Sequence, residues 1–241
     1  MKAIHSLLHG KKTLLFLDLE GTQFSHEMVE IGAYKVVLRD DGTVKKVFKP
    51  YHAYVLAKHH IGPIVSKLTG LTDLKIRREG IPFRLVQQQL KKYLGKDYET
   101  CVPIAYGTED SHIFLASAEN NMDASMDDAR FFARRFFDFA DFFGQYVRGN
   151  DGNILSLTRA LAAMEVEFEG TAHSAQADAY NLLLLYQAFI SRPDLIRKYY
   201  KNAVSRNPRV PRSVRKIIEK LNNGETVTPE EWDKIAQEDI A

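Results

Sequence analysis

The chain of 241 residues contains one cysteine, Cys101, and one tryptophan. A single thiol excludes an intrachain disulfide and a cysteine-built zinc site, and it suits a reducing cytoplasm, the compartment expected. Long hydrophobic runs are also missing. The longest, Leu182 to Ile190, is broken by Gln187 and falls far short of the roughly 20 residues a spanning helix needs, so no membrane association is expected. Near the start, the apolar stretch is interrupted by Asp18 without a small-residue cleavage site, and no secretory leader is expected. Repeats and low-complexity tracts are lacking too. With 45% hydrophobic, 11% aromatic and 27% charged residues, the composition excludes disorder, collagen-like repetition and a coiled coil. What is left is a globular enzyme or binding domain.

Net charge is nearly absent, at +2, but its distribution is uneven. Residues 191–220 carry ten Lys/Arg against Asp194 and Glu219, a balance of +8, and residues 221–241 carry −5. The body, residues 1–190, is near neutral. A basic segment on such a body suits a polyanion such as nucleic acid, and it equally suits a solvated helix face. The expected organisation is a domain over 1–190 and a helical extension over 191–241, basic to 220 and acidic beyond.

Thr13 to Leu19 is a nearly continuous apolar run, the pattern of a central strand buried on both faces. Strand formers at Val29 to Leu38, the turn Asp40-Asp41-Gly42 and the run Thr43 to Tyr51 extend it into a three-strand meander. Helices are expected from Ile61 to Leu68, around Phe83 to Leu94, from Glu109 to Ala118, from Asn153 to Met164 and from Ala172 to Ile190. Another strand is expected from Cys101 to Tyr106. The phenylalanines of Arg130 to Val147 read as core, in a strand running into a helix that Asp138 helps to start. Thr228-Pro229-Glu230-Glu231 announces a last helix, with Thr228 as N-cap. Strands early and helices late give an α/β fold with a mixed sheet of about five strands flanked by helices.

Asp18 and Glu20 alternate on the first strand, so their side chains point to one side of it. Two acids there repel and lose hydration unless they share a cation or a proton. Hard carboxylates with room for water suit Mg²⁺ or Mn²⁺ better than zinc. Asp110, opening the helix after the Cys101 strand, and Asp178, in the helix that follows His173, are further candidates, because sites in open sheets gather beyond the carboxyl ends of central strands. Glu30 reads as structural. The adjacent pair His59-His60 does not read as a metal site, since neighbouring residues point apart.

Taken together, Phe16-Leu17-Asp18-Leu19-Glu20-Gly21-Thr22, Val29-Glu30-Ile31-Gly32-Ala33, Ile104-Ala105-Tyr106-Gly107-Thr108-Glu109-Asp110 and His173-Ser174-Ala175-Gln176-Ala177-Asp178 resemble the motifs of the DEDDh exonucleases. These form the DnaQ-like branch of the ribonuclease-H-like superfamily. Leu68-Thr69-Gly70-Leu71-Thr72 is similar to a connecting segment of that family, and the resemblance covers about residues 12–190. Within the family the chain looks closest to the group that trims RNA 3′ ends, including KapD-like bacterial proteins.

The resemblance implies two-metal hydrolysis of phosphodiester bonds from the 3′ end of single-stranded nucleic acid, RNA or DNA, with RNA slightly favoured. It implies that Asp18, Glu20 and Asp178 hold one Mg²⁺ or Mn²⁺. Asp18 holds the second, with Asp110 acting through water. His173 would be the general base, since imidazole titrates near neutrality. Gly21 would admit the terminal nucleotide, Thr22 would bond its 3′-OH, and Gln23, Phe24 and Met28 would line the base pocket. Glu109 competes with Asp110 as the second-motif acid, and the spacing to Ile113 and Phe114 favours Asp110. Two other readings stay open: a proofreading module for a DNA polymerase, and a catalytically silent exonuclease fold kept as an RNA-binding scaffold.

Overall fold

The computed structural model describes Leu8 and residues 10–237. Its sheet is built from β1 (Thr13–Gly21), β2 (Met28–Leu38), β3 (Val44–Val47), β4 (Tyr51–Tyr54), β5 (Val102–Ala105) and the two-residue β6 (Phe137–Asp138). The strand order is β3-β2-β1-β5-β6, and β4 pairs with β2. β1 and β2 are antiparallel, whereas β5 runs parallel to β1 and β6 parallel to β5. The run expected as one third strand is split at residues 48–50 into β3 and β4, which both pair with β2.

The helices are α1 (Pro63–Thr69), α2 (Asp73–Glu79), α3 (Phe83–Leu94), α4 (Glu109–Asn120), α5 (Met126–Ala133), α6 (Phe139–Phe143), α7 (Leu157–Ala163), α8 (Ala175–Ser191), α9 (Pro193–Arg206), α10 (Arg212–Asn222) and α11 (Pro229–Gln237). Local chemistry sets several starts. Ser125 caps α5, Asp138 caps α6 and Ser156 caps α7, each side chain accepting a backbone N–H of its own first turn. Thr228 accepts from Glu231 N at 3.2 Å, while the Glu231 carboxylate turns to Lys220 at 2.7 Å. No described helix is long and apolar enough to cross a membrane.

Alternation along β1 divides the core in two. Leu14 and Phe16 share one face with Val36 and Leu38 of β2, packed under α6, α7, α8 and the start of α9 (Leu195, Ile196). Leu15, Leu17 and Leu19 share the other with Ile31 and Ala33, under α3, α4 and α5. The result is three layers, helices over both faces of a mixed sheet. The Phe-rich segment supplies core as expected: Phe132, Phe139, Phe142 and Phe143 are buried, and Phe139, Phe142 and Phe143 ring the buried Phe189 of α8. The basic segment is helical, with Tyr200 of α9 stacked on Tyr146 at 5.9 Å.

Candidate active site

β1 and β5 end side by side, and their carboxyl ends carry the acids. Asp18 and Glu20 follow Leu14 and Phe16 on the face covered by α8. In register, Asp18 lies opposite Gly32 and Glu20 opposite Glu30. Gly32 decides where α8 begins: a Cβ there would sit 2.3 Å from the backbone of Ala175 and Gln176, so only glycine lets the first turn of α8 rest on β2. That contact places Asp178, one turn further on, over Asp18 and Glu20. Before the helix, His173 adopts φ 63°, a left-handed conformation uncommon for a residue with a side chain. Its backbone N–H donates to Asp178 Oδ2 at 2.9 Å, so the loop and the acid hold each other.

From the other side, Asp110 enters in the first turn of α4. Its Oδ1 accepts the backbone N–H of Leu19 at 2.8 Å, tying α4 to β1 through the carboxylate itself. The intervening turn is braced where Gly107 N–H donates to Asp138 Oδ1 at 3.0 Å and where the Tyr106 hydroxyl donates to Leu155 O at 2.6 Å. Glu109, the preceding residue, also lines the cleft but is exposed, paired with His26 at 2.6 Å and with His112 at 3.9 Å. Asp110, not Glu109, is the buried acid facing Asp18.

These groups line one cleft of about 310 Å³, walled by Asp18, Glu20, Tyr106, Asp110, His173 and Asp178, with Ser156 to Thr158 on the far side. Ligand atoms of Glu20, His173 and Asp178 all come within 4.8 Å of one another. Burial, followed by the charges of Asp110, Glu20, Asp178 and Glu30, drives the Asp18 carboxyl well above its ordinary range. Burial and the neighbouring carboxylates push Glu20 up to about 8, and burial takes Asp110 to about 7. Asp178 is raised too, chiefly by burial. Crowded acids that resist ionising together are a donor set for cations: hard oxygen ligands of high negative charge, with an imidazole at the rim, fit Mg²⁺ or Mn²⁺.

None of Gly21, Thr22, Gln23, Phe24 and Met28, the expected nucleotide contacts, is among the residues walling this cleft. Met28 is 1% exposed and packs with Leu17 and Leu19 on the face away from the acids, because the register shifts between Glu20 and Gly21. The Thr22 hydroxyl is committed inside the turn, 2.7 Å from Ser25 Oγ and accepting Glu27 N–H at 2.9 Å. Gly21 makes its close approach to Ile113, whose side chain would be 2.9 Å from an added Cβ, and not to the cleft. Gln23 accepts Ile64 N–H at 3.1 Å, stapling the turn to α1, while Phe24 is 79% exposed beside it. His59 meets the buried Glu27 and His60 meets Asp73, so the two imidazoles serve different carboxylates.

Three neighbours of the acids were given no site role by the sequence reading. Glu30 is 4% exposed, directly across from Glu20, and paired with His52 at 2.7 Å. Tyr106 and the 156–158 wall are the others. Parity puts Glu30 on one face of β2, but which residue it meets on β1 depends on the register between the strands. The wall was not legible either, since it comes from the start of α7, far away in sequence.

No protein-family model matches the chain, and no curated protein matches it. Solved structures do. The nuclease domain of 3′hExo, a DEDDh family member bound to rAMP, superposes with a TM-score of 0.59 at 16% identity over 77% of this chain and 93% of that one. A 3′-exonuclease recognising the histone mRNA stem-loop gives 0.60 at 14% identity, covering 76% and 82%. E. coli exonuclease I in complex with a dT13 oligonucleotide gives 0.56 at 17% identity, covering 78% of this chain and 43% of that longer one. The chain therefore has the ribonuclease-H-like fold of the DEDDh 3′-exonucleases.

Proposed function

We propose that the chain is a divalent-cation-dependent 3′-to-5′ exonuclease acting on single-stranded nucleic acid, with RNA favoured over DNA. The observation that carries this reading is the convergence of Asp18, Glu20, Asp110 and Asp178 with His173 on one cleft at the carboxyl ends of β1 and β5. Asp18, Glu20 and Asp178 would hold one Mg²⁺ or Mn²⁺ and Asp18 with Asp110 a second. Such ions supply Lewis acidity and positive charge for cleavage of a phosphodiester bond. His173 stands at the exposed rim, held by the Asp178 carboxylate through its own backbone N–H. From there its ring nitrogen accepts the proton of the attacking water and passes it to solvent. The cleft is open, which suits a strand end entering from solution.

The test is a gel time course with 5′-labelled single-stranded RNA and its DNA twin, in Mn²⁺ or in EDTA, with the wild type and Asp18→Ala. The expected result is a cation-dependent ladder shortening from the 3′ end, faster on RNA and absent from the variant. Retarded RNA that is never shortened would replace this reading with a binding scaffold.

A further inference from the structure

The cleft and the basic helices meet at one corner of the molecule. Ser156, Leu157 and Thr158 form a wall of the cleft, and Arg159, the next residue, is exposed. Upstream, the loop 148–156 folds back on itself, with Gly149 N–H donating to Asn153 O at 3.0 Å. It lies so close to the end of α9 that a Cβ on Gly152 would be 2.9 Å from Arg206 O and 3.5 Å from Arg206 Cβ. Arg159 and Arg206 thus flank one short loop, and the exposed Arg209 follows, ion-paired with Asp141 at 2.8 Å.

Under this corner lies Arg148, 7% exposed. Its Nη1 donates to Gly152 O at 2.8 Å, while its Nε has no partner among the described residues. Burial, with Arg209 beside it, holds the Arg148 guanidinium below its ordinary range. The carboxylates at the corner are Asp138, Asp141 and Asp151; Asp138 already accepts the N–H groups of Gly107 and Asp141, and Asp151 is engaged by Asn153 N and Nδ2 at 3.0 and 3.1 Å. Four guanidinium groups against three carboxylates still leave a positive surplus that a bound anion would relieve.

We propose that Arg159 and Arg206 begin a track for the phosphodiester backbone of the substrate strand. The track leads out of the cleft along the 148–156 loop and onto α9 and α10. Nucleotides on the 5′ side of the scissile bond are then held by charge and not by base identity. Arginine suits the task because its planar fork matches phosphate oxygens. The remaining cations divide by their partners. Arg192 is tied to Glu165, Arg209 to Asp141, and Lys220 to Glu225 and Glu231, so none of the three belongs to the track. Arg197 and Lys201 are exposed four residues apart on one face of α9, and Arg212 is exposed at the start of α10. These three continue the positive surface beyond the corner.

The track rests on the exonuclease reading, and its test separates the two. Binding is read by fluorescence anisotropy in the Asp18→Asn background with Ca²⁺, using a labelled single strand of about 20 nucleotides and a labelled dinucleotide over a salt series. Adding Arg159→Gln and Arg206→Gln together is expected to weaken the long strand about tenfold and to flatten its salt dependence by about 1.4 in log–log slope, two lost contacts at ~0.7 each. Dinucleotide affinity stays unchanged, and Lys45→Gln, on β3 at the opposite edge of the sheet, changes neither. An unchanged slope, an equal loss on the dinucleotide or no binding of the long strand overturns the track. Charge-dependent binding by a wild type that never cuts would keep the track and sink the exonuclease reading. Cutting without these length and salt effects would do the reverse.

Discussion

The two faces of β1 end differently. On one, Leu15, Leu17 and Leu19 remain apolar to the tip and are closed over by α3, α4 and α5. On the other, Leu14 and Phe16 give way to Asp18 and Glu20 where α8 begins, so the helix layer stops and a cleft opens. Both faces belong to one nine-residue strand. One face stabilises the fold by burying carbon, and the other gathers carboxylates that burial disfavours. A rigid apolar layer is what allows four acids to be held at close quarters without the sheet yielding.

Neighbouring substitutions break this comparison most sharply. Asp18→Ala is expected to abolish strand shortening, a loss beyond the roughly 10⁴-fold that proton transfer alone contributes, while raising the melting temperature of the metal-free protein near pH 8. Leu17→Ala, one residue away, is expected to cost about 2–5 kcal/mol of stability while each folded molecule keeps its turnover. Thermal melts and initial rates on the two proteins check both. If both variants lost turnover alike, the division of labour between the faces would be wrong.

His173→Ala comes next. Turnover should fall by about 10²–10⁴-fold with the melting temperature unchanged, because the side chain is at the exposed rim and the bond to Asp178 is made by backbone. Gly32→Ala should act through position and not chemistry. Its new methyl would strike the backbone of α8, so a destabilisation of about 1–3 kcal/mol and weaker activation by Mn²⁺ are expected together, seen in melts and in a Mn²⁺ titration.

The smallest expected effect is a pH slope. Glu20 and Asp110 have folded-state pKa values of about 8 and about 7, above ordinary values of 4.5 and 3.8. An unfolded chain releases these protons first, so stability without metal should fall as pH rises from about 4 to about 8. Saturating Mn²⁺ should flatten that slope and raise the melting temperature at pH 8. Melts in EDTA and in Mn²⁺ across this window check it. A metal-free protein that became more stable over the same range would contradict the crowding of the acids.

Much of the framework was legible in the residues. The apolar run at Thr13 to Leu19 marked the central strand, and Asp138 marked a helix start. Short elements were not legible. α2 buries Ile76 alone and shows little periodicity, and β6 is two residues whose pairing with β5 depends on a partner far away in sequence. The first turn of α8 starts at Ala175 and not at Ala172, because His173 turns left-handed to meet Asp178. The burial of Met28 in the apolar layer was not legible either, because an irregular register at Gly21 sends it to the face away from the acids.

By itself, then, the sequence determined which residues carry reactive chemistry and which alternate into the core, because charge, hydropathy and strand period are properties of residues and their immediate neighbours. Only the tertiary structure decided that Glu30 lies across from Glu20, that Asp110 and not Glu109 is the buried acid facing Asp18, and that the 148–156 loop runs between Arg159 of α7 and Arg206 of α9. Each of these depends on register or on packing between segments distant in the chain, and those are settled by contacts that no local pattern encodes.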